Sequence, residues 1–188
     1  MKIGILGGTF NPIHYGHLIL GEQVLGQLGL DKVIFVPAFI PPHKAGKSII
    51  APEHRLGMIR LAVGDNRYFF VSDIEIKRKG KSYTVDTLRE IKKEYLRSEL
   101  FFICGSDLVN EIPTWKNVEE IHKLARFVLA KRPGFGKRLA GRDFLKINVA
   151  QVDISSSLIR YLVKKDMSIR YLTPDKVVAY IRKYRLYR

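Results

Sequence analysis

An apolar run, Lys2-Ile3-Gly4-Ile5-Leu6, is short enough for a buried strand, and after an intervening turn Leu18, Leu20, Val24, Leu25 and Leu28 recur at helical spacing. Between them lies Gly7-Gly8-Thr9-Phe10-Asn11-Pro12-Ile13-His14-Tyr15-Gly16-His17, which reads as a strand-to-helix turn. Glycines there let the backbone approach a ligand closely, and a helix N-terminus offers N–H groups that suit an anion, so the turn is a candidate phosphate site. His14 and His17 project to the same side of one helical turn and can donate hydrogen bonds to phosphate oxygens. A Gly-Gly turn is also ordinary punctuation in α/β chains. A zinc site on the two histidines is disfavoured, because Cys104 is the only cysteine and no carboxylate stands at ligand spacing on that turn. The turn lacks the Gly-Lys-Ser/Thr of a Walker loop, and Gly4, Gly7 and Gly8 miss the spacing of the dinucleotide fingerprint.

Further strands are expected at 32–36, 69–74, 100–104 and 127–130. Helices are expected over 52–63, where Leu56, Ile59 and Val63 would line one face, from the stretch 78–88 on through Ile91 and Tyr95, and from 174 through 181. Pro52 and Pro174 suit first turns, and Thr173 suits a cap. Strands alternating with helices predict a parallel, Rossmann-like α/β sheet with helices on both faces and a ligand along its carboxyl edge. A chain of 188 residues with 46% hydrophobic and 27% charged residues is read as one domain, 1–188. Its first residues do not form a signal peptide, and no segment approaches membrane-spanning length. With a single cysteine, a cytoplasmic protein without membrane contact is expected. The sequence is compatible with a homo-oligomer and does not set the oligomeric state.

Lys and Arg total 33 against 18 Asp and Glu, a net charge of +15. Such a balance raises nucleic acid as a partner. The basic residues are spread along the chain, however, apart from Arg182-Lys183-Tyr184-Arg185-Leu186-Tyr187-Arg188, and no nucleic-acid motif accompanies them. A solvated basic surface that steers polyphosphate nucleotides accounts for them better.

Several later stretches carry donors or acceptors at strand or helix ends. Pro41-Pro42-His43-Lys44 is a proline-fixed basic loop. Ser82 or Thr84 could simply cap a helix, as could Ser106 or Asp107 after the strand ending at Gly105. Trp115 is the sole tryptophan, and Arg132 could cover phosphates or sit in solvent. Ser155-Ser156-Ser157 opens a helix with Arg160 in its first turns, a second anion-friendly helix start that capping alone would explain for one serine.

The pattern Gly8, Phe10, Pro12, His14, Gly16, His17 resembles the nucleotidylyltransferase superfamily, whose members join a nucleoside triphosphate to a phosphorylated small molecule and release pyrophosphate. With Pro41-Pro42-His43-Lys44, Ser82-Tyr83-Thr84-Val85-Asp86-Thr87-Leu88, Gly105-Ser106-Asp107 and Ile154 to Arg160, the chain resembles the bacterial nicotinate-nucleotide adenylyltransferases from its first strand to its last helix. That resemblance implies transfer of AMP from ATP to nicotinate mononucleotide, with Mg²⁺ arriving with ATP and no protein metal ligands. It implies that Gly7, Gly8, Thr9, Phe10, Gly16, Gly105, Asp107, Arg132, Ser155, Ser156 and Ser157 meet ATP. His14, His17, Lys44 and Arg160 would stabilise the transition state. His43, Tyr83, Thr84 and Trp115 would hold the acceptor, Thr84 facing the nicotinate carboxylate and Trp115 stacking on the ring. Pantetheine-phosphate adenylyltransferases and cytidylyltransferases share the first motif but are not expected to carry Ser82-Tyr83-Thr84 with Trp115. A preference for nicotinamide mononucleotide is a finer alternative, and a non-catalytic nucleic-acid binder is the alternative of a different class.

Overall fold

Burial on both faces puts the first strand, β1 (Lys2–Gly8), in the middle of the sheet, with Ile3, Ile5 and Leu6 at most 3% exposed. The computed structural model describes residues 1–42, 49–105, 108, 110–131, 144–150 and 152–188. After β1 come α1 (Tyr15–Leu28), β2 (Lys32–Pro37), α2 (Pro52–Val63), β3 (Phe69–Val71), α3 (Ile74–Arg78) and α4 (Thr84–Glu94). Then follow β4 (Glu99–Gly105), a 3-10 turn at Ile112–Thr114, α5 (Val118–Leu124), β5 (Arg126–Lys131), β6 (Phe144–Asn148), α6 (Ser156–Lys164) and α7 (Asp175–Lys183). The sheet order is β3-β2-β1-β4-β5-β6, every described pairing parallel. From β1 the chain builds outward one way to β3, then returns to the other side of β1 with β4. The carboxyl ends of β1 and β4 therefore flank the switch point, where an open α/β sheet leaves a crevice for a ligand.

Side-chain alternation along the strands sorts the core into two layers. Ile3, Ile5, Ile34, Val36, Leu100, Phe102, Phe127 and Leu129 pack with Val85, Leu88 and Ile91 of α4 and Ile121 of α5. Leu6, Val33, Phe35, Phe101, Ile103 and Val128 pack on the opposite face with residues of α1, α2, α6 and α7. Helices thus cover both faces, as expected. Among the described residues no helix is long and apolar enough to cross a membrane.

Gly4 makes the second layer possible, since a Cβ there would lie 2.9 Å from Ile103 Cδ1, 2.9 Å from Leu30 Cδ1 and 3.2 Å from Val33 Cγ2. All three neighbours are core residues with little room to move. Gly4→Ala is expected to destabilise the fold by about 1–3 kcal/mol through overpacking, read as a lower urea midpoint at unchanged slope.

Three local expectations are corrected. The strand expected over 69–74 ends at Val71, because pairing to β2 stops at Phe35↔Val71 and Asp73 turns to Lys77 (2.9 Å) and Arg60 (3.8 Å). The buried face of α2 is Arg55, Met58, Ile59 and Val63, with Leu56 only half-buried. Thr173 is not a cap: Pro174 occupies the N-cap position of α7, and the fully buried Thr173 hydroxyl instead donates to Ile13 O at 2.8 Å.

Candidate active site

The site begins where β1 runs out. Phe10, at φ 48° and 2% exposed, folds its ring back onto Gly8, where a Cβ would lie 3.0 Å from Phe10 Cζ. The same ring meets His17 edge-on, with centroids 4.9 Å apart. Phe10 is therefore a packing support for His17, while Gly7 is exposed and Gly8 and Thr9 are half-buried at the strand end.

His14 occupies the N-cap of α1 in extended conformation and is 7% exposed. Its ring lies against that of His17, centroids 3.7 Å apart and planes inclined by 30°. Gly16 leaves room for this arrangement, since a Cβ there would stand 3.0 Å from His14 Nδ1. The His14 backbone N–H donates to His17 Nδ1 at 3.2 Å, a capping-box bond made by a histidine in place of the usual glutamate. An Nδ1 that accepts leaves the ring proton on Nε2, so local backbone geometry fixes the tautomer in which His17 Nε2 is the donor.

Groups from the whole length of the chain hold the loop between β1 and α1. Arg55 Nη1 donates to Thr9 O at 2.8 Å and Arg160 Nη1 to Asn11 O at 2.9 Å. Ser156 Oγ donates to Pro12 O at 2.8 Å, and Thr173 takes Ile13 O as described. Asn11 Oδ1 accepts from Tyr187 OH at 3.0 Å and from Ile50 N–H at 3.4 Å. The carbonyl oxygens of Thr9, Asn11, Pro12 and Ile13, whose negative ends would repel a phosphate, are thereby engaged by protein donors. Arg55 also donates to Ile50 O at 3.1 Å and Phe39 O at 3.2 Å, so one fully buried guanidinium joins the loop after β1 to both ends of the β2–α2 connection. Burial pulls its pKa below the usual arginine range, with Tyr187, Glu53 and Glu75 opposing that shift. Tyr187 is pushed in the other direction, since burial raises its hydroxyl pKa against the pull of Arg160 and Arg55.

The serine cluster divides its work. Ser155 is the N-cap of α6, accepting from Leu158 N–H at 3.1 Å; Ser156 ties down Pro12; Ser157 accepts from Arg160 Nη2 at 3.2 Å. Arg160 is thus half-buried and joins α6 to the β1 loop.

A second group forms over the other face of the sheet. Tyr83 is the N-cap of α4 and Thr84 its first residue, and Tyr83 and Trp115 both pack against the core layer that contains Phe102. Trp115 meets Phe102 edge-on at 5.7 Å, and Lys116 Nζ stands 4.6 Å over the Tyr83 ring while pairing with Asp86 at 3.2 Å. Trp115 Nε1 is buried with no hydrogen-bond partner among the described residues. Gly105 ends β4 opposite Ala130 of β5. His43, Lys44, Ser106, Asp107 and Arg132 lie outside the described residues. Among the described residues no group of three or more His, Cys, Asp or Glu is disposed to hold a metal ion.

Residues 5–162 match the cytidylyltransferase-like family. The chain is 46% identical to a probable nicotinate-nucleotide adenylyltransferase of Desulfitobacterium hafniense (strain Y51), over 100% of this chain and 96% of that one. It is 42% identical to a probable nicotinate-nucleotide adenylyltransferase of Enterococcus faecalis, over 100% of this chain and 85% of that one. The chain belongs to the nicotinate-nucleotide adenylyltransferase family. Its fold is that of Plasmodium falciparum nicotinic acid mononucleotide adenylyltransferase complexed with NaAD, with a TM-score of 0.81 at 23% identity, covering 99% of this chain and 97% of that one.

In this adenylyltransferase-family chain, sequence reasoning passed over Arg55, Asn11 and Tyr187 as individual site-building residues. Arg55 carried a usable signal: it falls three and four positions before Met58 and Ile59, on the face that an amphipathic helix buries. Tyr187 carried none, because a tyrosine in a basic stretch looks like surface.

Proposed function

We propose that the chain transfers AMP from ATP to nicotinate mononucleotide, giving deamido-NAD and pyrophosphate. An acceptor phosphate oxygen attacks the α-phosphorus of ATP, a new P–O bond forms, the bond to the bridging oxygen toward the β-phosphate breaks, and pyrophosphate leaves. A phosphate monoester has its second pKa near about 6, so at neutral pH the nucleophile is already largely unprotonated and no protein base is needed. Catalysis then consists of bringing anions together and stabilising charge on the transferring phosphoryl group. The observation that carries this reading is the loop after β1, which has its carbonyls engaged by protein donors and His17 fixed as an Nε2 donor at the mouth of α1.

In this assignment His17 and His14 face the phosphates, with Lys44 and Arg160 adding positive charge. Gly7, Gly8, Thr9, Gly16 and the three serines border the triphosphate, Gly105 and Asp107 the ribose. The buried Arg55 adds positive potential beneath Thr9 without touching the substrate. Mg²⁺ enters as part of the ATP substrate, bound to phosphate oxygens and water, and ATP supply suits a cytoplasmic setting.

Thr84 and the backbone N–H groups opening α4 suit the acceptor's carboxylate, which only accepts hydrogen bonds, whereas a nicotinamide must also place two donor hydrogens. Each donor left unpaired costs roughly 1–3 kcal/mol, a tenfold to more than hundredfold preference. A pyrophosphate-release assay with ATP is expected to give a higher kcat/KM for nicotinate mononucleotide than for nicotinamide mononucleotide, with Thr84→Ala narrowing the gap. Equal turnover of the two would refute acid selectivity, and no pyrophosphate release with either would refute the function.

Tyr187→Phe removes one donor from Asn11 Oδ1 while preserving the ring's packing. It is expected to lower stability by about 1 kcal/mol and to raise KM for ATP severalfold, with KM for the acceptor unchanged. An unaltered KM for ATP would mean that the tyrosine only packs.

A further inference from the structure

The carboxylate of Glu75, on α3, is 7% exposed and accepts a hydrogen bond of 2.5 Å from Thr87 Oγ1 on α4. The Ser82 hydroxyl faces the same carboxylate. Because a carboxylate oxygen accepts, Thr87 donates to it, and the lone pairs of Thr87 Oγ1 are left for other donors. Thr87 Oγ1 accepts from Arg78 Nη2 at 3.1 Å, while Arg78 Nη1 pairs with Glu90 at 2.6 Å. Ser82 Oγ accepts from Phe39 N–H at 2.9 Å, and Ser82 N–H donates to Ile40 O at 2.9 Å.

Ser82 and Thr87 bracket Tyr83 and Thr84 in sequence. The turn that carries Tyr83 and Thr84 is therefore bonded to the buried carboxylate at its Thr87 end and lies beside it at its Ser82 end, and the Phe39–Ile40 segment leading to Pro41 and Pro42 hangs from the same serine. Phe39 in turn gives its carbonyl to Arg55, so its position is fixed from both sides. Burying a carboxylate is costly unless its charge is met by such donors, so a glutamate placed only to fill this space would be outperformed by an apolar residue.

We infer that Glu75 is a positioning residue for the acceptor-nucleotide site, holding Tyr83 and Thr84 in place through its bond to Thr87 and its contact with Ser82. This rests on the proposed acceptor role of Tyr83 and Thr84. Glu75 touches no substrate; its effect passes entirely through the two hydroxyls.

The test compares steady-state kinetics of Glu75→Gln, Ser82→Ala, Thr87→Val and Thr87→Ser, each with its thermal midpoint. Glutamine keeps the shape but exchanges one carboxylate oxygen for an N–H donor, so the contact made by that oxygen is lost. Glu75→Gln, Ser82→Ala and Thr87→Val are expected to raise KM for nicotinate mononucleotide by about tenfold, with KM for ATP and kcat within about twofold of the unmodified protein. Thr87→Ser keeps the hydroxyl and is expected to restore the unmodified KM. Equal rises in both KM values, or an unchanged acceptor KM in folded Ser82→Ala and Thr87→Val, would overturn the inference and leave Glu75 as a structural support alone. The unmodified protein is assayed first across phosphorylated acceptors. Failure to use nicotinate mononucleotide would count against the proposed function, and the variants would then be scored by the same KM ratio on whichever acceptor is turned over.

Discussion

His17→Ala is expected to lower kcat by on the order of a hundredfold or more, with a smaller change in KM for either substrate. The size follows from where the charge changes. On attack, the oxygens of the α-phosphoryl group crowd around a pentacoordinate phosphorus, and a fixed donor gains more there than it does in the ground state. His17 is a fixed donor because the His14 N–H occupies Nδ1, Phe10 braces the ring at its edge and His14 stacks on its face. Alanine removes the donor and also the acceptor of the His14 N–H, so circular dichroism must accompany the kinetics. A folded His17→Ala protein with near-normal kcat would remove His17 from the mechanism.

Arg55→Met is expected to cost about 3–5 kcal/mol of stability and to impair ATP use in whatever fraction remains folded. Methionine approximates the volume, so the loss comes from chemistry: the carbonyls of Thr9, Ile50 and Phe39 each lose a charged donor in a region from which water is excluded. Hydrogen bonds to a charged group contribute roughly 1.5–3 kcal/mol each, and part of that is recovered by no longer burying the cation. Arg55→Lys keeps the charge but cannot reach three diverging acceptors with one ammonium, so its urea midpoint should fall between those of the methionine variant and the unmodified protein. A methionine variant as stable as the unmodified chain would show that the two loops are held by other contacts.

Much of the architecture was legible because it is written in burial. The runs that became β1, β2, β4 and β5 are apolar on both faces, and nothing but an interior parallel strand accommodates that. β6 escaped because its edge position leaves Lys146 and Asn148 exposed and only Ile147 buried, too little pattern for five residues. α3 escaped for the opposite reason: the residue it buries is Glu75, and a buried carboxylate leaves no apolar periodicity to find. At the site, the proposed roles of His14, His17, Tyr83 and Thr84 were suggested by residue type and spacing, as was Arg160, whose bond to the distant Asn11 carbonyl was not. Arg55, Thr173 and Tyr187 act by capping backbone carbonyls or an amide oxygen far away in the chain, and no local pattern encodes such a partner. The same distance explains Thr173, which offered itself locally as a cap and was taken by Ile13 instead.

The middle position of β1 also sets a timetable. Synthesis runs from the amino end, so β1 is made well before its partner on one side, β4, which begins only at Glu99. At roughly 5–20 residues per second, the ribosome leaves that edge of β1 unpaired for about 5–20 s, and an unpaired apolar edge is a template for pairing with another chain. The loop after β1 waits longer still, until Arg160, Thr173 and finally Tyr187 have emerged to close on it. A nascent chain thus carries the loop after β1 long before the donors that close on it, and through that interval its apolar strand edge stays open to pairing with another chain.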